Sequence, residues 1–324
     1  MTETPDATSG RMEGHGYYTA HSDVQQEYGE LAIGWFAEAA ASAADPSPLP
    51  FVIADLGAAG GGSSLQPVLK ALDARTSQGP VLVVHTDIPS NDFSALFTLV
   101  DSSPHTYLAP DVFPLAEGRS FYERLFPDGF VTLAWSSVAV HWLSSVPEPI
   151  DDHIFSSRAA GPTRDALRDR SRQDWLTFLR HRDAELRPGG GLIVVGGAAR
   201  DDGSSGAEGL MDAADAALRD LVDRGVLAEA EYRRMTIPTW NRTKAEFTAP
   251  FDDGQLAGVL ELRRAELRWL PDRYFAAYQS DGDLDRFVEN VADFFRAAFE
   301  ESLMSALEPG RADRDGLVSA FRDG

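Results

Sequence analysis

The chain contains no cysteine, so disulfides and thiolate chemistry are excluded. Lysine occurs only at Lys70 and Lys244, and neither follows a tyrosine by four residues, so the Tyr-x-x-x-Lys pair of many nicotinamide enzymes is missing. Arginine takes over the cationic positions, which is the bias of a GC-rich genome. No apolar run approaches the ~20 residues that a membrane helix needs. The first ten residues carry neither a basic nor an apolar leader segment, so a cytoplasmic protein without membrane contact is expected. Excess positive charge is absent as well: the net charge of −22 would repel phosphates, which excludes nucleic acid as an expected partner. What remains, with 43% hydrophobic and 25% charged residues over 324 positions, is the composition of a globular chain long enough for a large core.

Apolar stretches alternate with helical patterns along the first two thirds. Ser22-x-x-Gln25 has capping-box spacing ahead of a helix carrying Leu31, Trp35, Phe36 and Ala39, which should stop before the prolines of residues 45–50. Strands are expected at Phe51–Leu56, Val81–His85, Phe130–Ser136 and Leu192–Val195. Helices are expected from Ser63 or Ser64 to about Ala74, over Asn91–Phe97, over Ser120–Phe126 and over about Thr163–Leu186. Near-continuous apolar strands separated by helices predict a parallel, doubly wound α/β sheet, Rossmann-like in class. Residues 207–225 and 283–307 read as amphipathic helices, and Gly258–Leu270 as a late strand or two. The expected organisation is a disordered tail (1–10), a lid segment and helix (11–50), a cofactor-binding core (51–200), a helical cap insertion (201–257), and late core strands with C-terminal cap helices (258–324).

The segment Asp55-Leu-Gly-Ala-Ala-Gly-Gly-Gly-Ser63 lies between the first strand and the first core helix. Its glycines let backbone approach a ligand closely. Alone it suits either S-adenosylmethionine (SAM) or a nicotinamide cofactor, although G-x-G-x-x-G is not present in register. Asp55 ends the strand where an acid can meet the amino group of a methionine moiety, and Asp87 ends the second strand where an acid can accept from two ribose hydroxyls. Both also suit plain capping or turn roles.

Five blocks, in order, resemble the SABATH family of small-molecule carboxyl methyltransferases: Met12–Gln25, Ala54–Gly57, Thr86-Asp-Ile-Pro-Ser-Asn-Asp-Phe-Ser94, Gly118-Arg-Ser-Phe-Tyr-Glu-Arg-Leu-Phe-Pro127, and Ser136-Ser-Val-Ala-Val-His-Trp-Leu-Ser144. Weaker echoes fall at Asp174–Gly191 and Ile237-Pro-Thr-Trp240. The resemblance implies a homodimer with a seven-stranded class I methyltransferase core under a helical cap, with SAM as cofactor and a small, aromatic carboxylic acid as substrate; a bacterial member is expected. It places Tyr18, Ser22, Asp55, Gly57, Ser63, Asp87, Ile88, Ser120 and Phe121 at cofactor contacts, and Gln25, His141 and Trp142 at the substrate carboxylate. No residue is assigned a proton transfer, because a carboxylate is already ionised at neutral pH.

Departures from the family pattern bear on the site. Ser63 stands for an asparagine, Val138 for an aromatic residue, and Thr86 and His21 for asparagines. Arg233–Pro238 lacks the acid and amide with which some relatives hold a metal, so no metal site is expected. Alternatives are methylation of a heterocyclic nitrogen or phenol, a catalytically silent SAM-binding protein, and a nicotinamide-dependent oxidoreductase.

Overall fold

The computed structural model describes residues 29–43, 50–256, 259–308, 310–311 and 313–322. Its centre is a five-stranded sheet of β1 (Phe51–Leu56), β2 (Val81–Asp87), β3 (Val112–Gly118), β4 (Val131–Ser137) and β5 (Leu186–Val195). The strands are all parallel and run in the order β3-β2-β1-β4-β5. The order reverses between β1 and β4, and the carboxyl ends of these two strands open a crevice, the place where open α/β sheets bind ligands.

Alternation along β1 explains the layering, since successive side chains point to opposite faces. Phe51 and Ile53 join Phe36 and Ala40 of helix α1 (Ile33–Ser42), Val68 and Ala71 of α2 (Leu65–Ala74), and Leu96 of α3 (Phe93–Ser102). Val52, Ala54 and Leu56 face the other way, against Trp175, Phe178 and Leu179 of α4 (Gly161–Glu185). Each fully buried side chain of this size contributes about 1.5–3 kcal/mol, so two-sided packing makes β1 and β4 the rigid base of the crevice. Every residue of both strands is buried.

A separate apolar cluster forms a helical layer. It joins α5 (Glu208–Asp223) and α6 (Glu229–Tyr232) to the C-terminal helices, through Met211, Leu218, Leu221, Tyr232, Phe295, Leu303 and Phe321. Trp142, just beyond β4, belongs to this cluster. Between the two layers, β6 (Ala198–Ala199) pairs with β7 (Arg242–Thr243), which leads into α7 (Lys244–Asp252).

Three expectations need correction. Within the expected late strands of 258–270, residues 259–270 form no strand, so the central sheet has five strands among the described residues where the resemblance implied seven. This segment is held by side chains instead: Arg200 stacks on Trp269 at 4.2 Å, and Arg264 pairs with Glu38 at 3.0 Å and stacks on Trp35. Ser120–Phe126 is a turn rather than a helix, because its backbone groups are drawn to Arg182 and Glu185 of α4. Strand β3 went unread because Pro114 interrupts its pattern; it lies at the sheet edge, where proline is tolerated.

Candidate active site

The expected cofactor residues that are described stand on three consecutive turns at the carboxyl edge of the sheet. Asp55 and Gly57 end β1, Asp87 and Ile88 end β2, and Ser120 and Phe121 follow β3. Tyr18, Ser22 and Gln25 lie outside the described residues. The tips of β1 and β2 are tied together by the N–H groups of Gly57 and Ala58, both donating to the Thr86 carbonyl at 2.9 and 3.0 Å. Gly57 has φ +81°, and a Cβ there would meet Ala139 Cβ at 2.5 Å and the Phe121 ring at 3.3 Å. Glycine is therefore required both for the turn and for the close passage between these neighbours.

Asp87 closes this turn. Its carboxylate accepts from the backbone N–H of Ala59 at 2.7 Å and of Ile88 at 2.7 Å, while Asn91 Nδ2 donates to the Ala59 carbonyl at 3.0 Å. Burial outweighs the two hydrogen bonds and pushes its carboxyl from the model-compound value of 3.8 up to about 6. Such an acid is short of donors, and a vicinal diol would supply two. SAM fits this set: carboxylates at the ends of β1 and β2, a glycine passage between them, and the Phe121 ring beside it.

If Asp87 accepts from the cofactor's ribose, its ionised form does so, and protonation would compete with the cofactor. S-adenosylhomocysteine (SAH) affinity is expected to be flat above pH 7 and to weaken by up to about tenfold per unit below pH 6. Stability of the free protein moves the other way. The raised folded-state value gives a contribution of about 3 kcal/mol that is fully present below pH ~3.8 and lost as pH rises through 6. Calorimetric titrations at pH 5, 6, 7 and 8 check the binding branch; an affinity independent of pH over that range would contradict the role of Asp87.

The turn carrying Phe121 is pinned from behind. Arg182 Nη1 donates to the Phe121 carbonyl at 2.8 Å and Nη2 to the Glu123 carbonyl at 3.0 Å, and Glu185 Oε1 accepts from Leu125 and Phe126 N–H at 2.7 and 3.2 Å. Arg182 and Glu185 also pair with each other, both almost fully buried. The Phe121 ring rests edge-on against Tyr122 and Phe178.

His141 and Trp142 follow β4 across a strained residue. Val138 has φ +52°, a left-handed conformation that its branched Cβ opposes. The segment beyond is clamped on both sides. Tyr122 Oη donates to the Trp142 carbonyl at 2.5 Å, and buried Arg242 donates to the Val140 carbonyl at 2.6 Å and the Ser171 carbonyl at 2.7 Å. Leu143 N–H donates to the Pro238 carbonyl, and Trp240 N–H to the His141 carbonyl. The strain at Val138 costs about 1–3 kcal/mol. Val138→Gly is therefore expected to raise the unfolding free energy by about 1 kcal/mol, after allowing for the flexibility that glycine adds to the unfolded chain. A loss of stability on denaturant unfolding would contradict this account of the turn.

Trp142 packs its ring near His141 and Phe299. The side chain is 8% exposed and its ring belongs to the apolar cluster of the helical layer. His141 is buried and its Nδ1 has no partner among the described residues. Burial, helped by the charge of Arg242, lowers its value to about 4, so the ring is neutral at physiological pH. Trp240 is packed with Leu143, Ile150 and Leu167, and its other side lines a polar cleft with Arg164, Asp202 and Glu246.

Several residues that shape the site were not singled out from the sequence. Ser64, rather than Ser63, reaches a site acid: its hydroxyl donates to Asp55 Oδ2 at 2.6 Å instead of capping α2. His85 also meets Asp55. Tyr122, Arg182, Glu185 and Arg242 act through backbone groups. Asn91 and Tyr122 sat inside the quoted family blocks, Arg182 and Glu185 inside the weaker echo, Ser64 was read only as a helix start, and His85 was visible as a polar residue in an apolar strand; nothing in the spacing marked Arg242.

Fold and site together define a class I SAM-dependent methyltransferase. The profile of a family described as SAM dependent carboxyl methyltransferases matches residues 7–316, and the chain belongs to that family. It is 31% identical over 337 aligned positions to O-methyltransferase acrG of Aspergillus aculeatus, covering 95% of this chain and 87% of that protein. It is 30% identical over 240 positions to indole-3-acetate O-methyltransferase 1 of Arabidopsis thaliana, covering 64% and 61%. The structure of loganic acid methyltransferase with SAH superimposes with a TM-score of 0.76 at 22% identity, over 97% of this chain and 91% of that one. Such fungal and plant relatives lend no support to the expected bacterial origin.

Proposed function

We propose that this chain esterifies a small, aromatic carboxylic acid, with Trp142 and Gln25 holding the carboxylate. The observation that carries this reading is the match of residues 7–316 to a family of carboxyl methyltransferases, in a chain that holds the Trp142 indole against a neutral His141. An indole N–H and an amide N–H donate to a carboxylate without a full positive charge. An arginine in that position would stabilise the reactant carboxylate more than the transition state, in which its charge is being lost. SAM, when bound, supplies a methyl group on a positively charged sulfur. The protein's own task is placement of the nucleophilic oxygen, which can contribute ~7–11 kcal/mol.

No residue need move a proton. His141, with its value near 4, is a poor base for a phenol or a protonated heterocycle, which disfavours the N- and phenol-methylation readings. The name of the Arabidopsis relative, an indole-3-acetate methyltransferase, supports an acid with an aromatic body. The smaller side chain of Val138 makes the pocket roomier on that side than an aromatic residue would. Homodimer formation and a cytoplasmic location belong to this proposal through the family resemblance.

The test combines Gln25→Ala with Trp142→Phe. Loss of ester formation with SAH binding retained supports the reading; undiminished methyl transfer by the double variant overturns it.

A further inference from the structure

Behind the cofactor turn lies a buried chain of polar groups that the methyl-transfer chemistry does not use. Asp55, His85 and Tyr107 are each at most 2% exposed. His85 Nδ1 lies 2.7 Å from Asp55 Oδ2, and His85 Nε2 lies 2.6 Å from Tyr107 Oη. Asp55 Oδ2 also accepts from Ser64 Oγ at 2.6 Å. Both side-chain donors converge on one carboxylate oxygen, and among the described residues no donor reaches the other, Oδ1.

We propose that Tyr107 and His85 form a positioning relay that aims Asp55 Oδ1 into the crevice, toward the ammonium group of the cofactor's methionine moiety. The inference rests on the assignment of Asp55 to that ammonium.

The directions of the hydrogen bonds follow from the end of the chain. Burial and the neighbouring charge of Asp55 hold the Tyr107 hydroxyl protonated well beyond the ordinary range of a phenol. The Asp55 carboxylate can only accept, so His85 donates from Nδ1; in the neutral imidazole Nε2 is then the acceptor, and the protonated Tyr107 hydroxyl donates to it. Parallel strands fix the spacing, since Asp55 and His85 are direct partners in the register of β1 and β2. Tyr107 approaches from the loop before β3 and tilts against the imidazole ring. With two donors committed to Oδ2, the carboxylate cannot rotate without breaking both bonds, and its remaining oxygen keeps a single orientation. His85 and Tyr107 touch neither the reacting atoms nor the proposed ligand, so they act only through Asp55.

Calorimetric binding of SAH and of methylthioadenosine, which lacks the amino-acid part, tests this on the whole protein. His85→Leu is expected to weaken SAH about tenfold or more, the scale of a perturbed charged hydrogen bond, while methylthioadenosine changes less than about twofold. Tyr107→Phe, a milder change that retains the ring packing, is expected to move SAH alone in the same direction. Asp55→Asn should abolish the preference for SAH over methylthioadenosine. Unchanged SAH binding in both relay variants while Asp55→Asn weakens it would overturn the relay, as would parallel weakening of both ligands. If Asp55→Asn itself leaves the preference intact, the ammonium assignment fails and the relay fails with it.

Discussion

Arg182→Met is expected to lower the unfolding free energy by about 3–5 kcal/mol, because removing one member of a buried ion pair strands the other. The guanidinium makes a two-pronged contact with Glu185, with Nε to Oε2 at 2.8 Å and Nη2 to Oε1 at 2.9 Å, and serves two carbonyls of the Phe121 turn as well. Burial pulls the arginine's value down and the charge of Glu185 opposes it, so each depends on the other. The methionine would fill much of the volume but leave Glu185 without its cation and the Phe121 and Glu123 carbonyls without donors. Because those carbonyls set the path of the turn, SAH affinity should fall alongside stability. Replacing both residues, as Arg182→Met with Glu185→Leu, should recover part of the loss by removing the stranded charge. Denaturant unfolding of the two variants checks this. A loss below about 1 kcal/mol in the single variant would mean that the pair does not hold the turn.

Trp142→Phe is expected to reduce kcat/KM for the acid by about 10- to 150-fold, the equivalent of one hydrogen bond to a charged group at 1.5–3 kcal/mol. The replacement keeps an aromatic ring against Phe299 and His141 and removes only the indole N–H and part of the ring. The Trp142 backbone remains fixed by Tyr122 Oη, so the fold of the segment should survive. SAH affinity should stay within about twofold, since the indole is assigned to the acid and not to the cofactor. Steady-state kinetics with a methylated acid and calorimetry with SAH separate these effects. A change of less than about threefold in kcat/KM would remove the indole from carboxylate binding.

The parallel core was legible because two-sided burial forces near-continuous apolar runs, read at Phe51–Leu56 and Val81–His85 and observed over Phe51–Leu56 and Val81–Asp87. The acids at their ends were legible for the same reason: a charged residue closing an apolar strand is conspicuous. The edge strand β3, with Pro114, has only one neighbour and carries no such pattern. Ser120–Phe126 has helical spacing, yet contacts with Arg182 and Glu185, some sixty residues away, override it. Residues 259–272 alternate like a strand, but cation–π and ion-pair contacts hold them elsewhere. Among site residues, Ser63 and Ser64 could not be separated by pattern. Only the three-dimensional meeting of Ser64 with Asp55 distinguishes them. Arg242 reaches Val140 across about a hundred residues of chain, a contact that no local spacing encodes.

Methyl transfer from SAM to a carboxylate oxygen is the reaction that fold, site and family converge on. Its most direct test is incubation of the protein with methyl-labelled SAM and a panel of small acids, each paired with its phenol or heterocycle counterpart, followed by mass identification of the products. Labelled methyl esters formed from aromatic acids, with no product from the counterparts lacking a carboxylate, are the result expected. Labelled ethers or N-methyl products without esters, or SAM binding with no transfer to any acid in the panel, would contradict it.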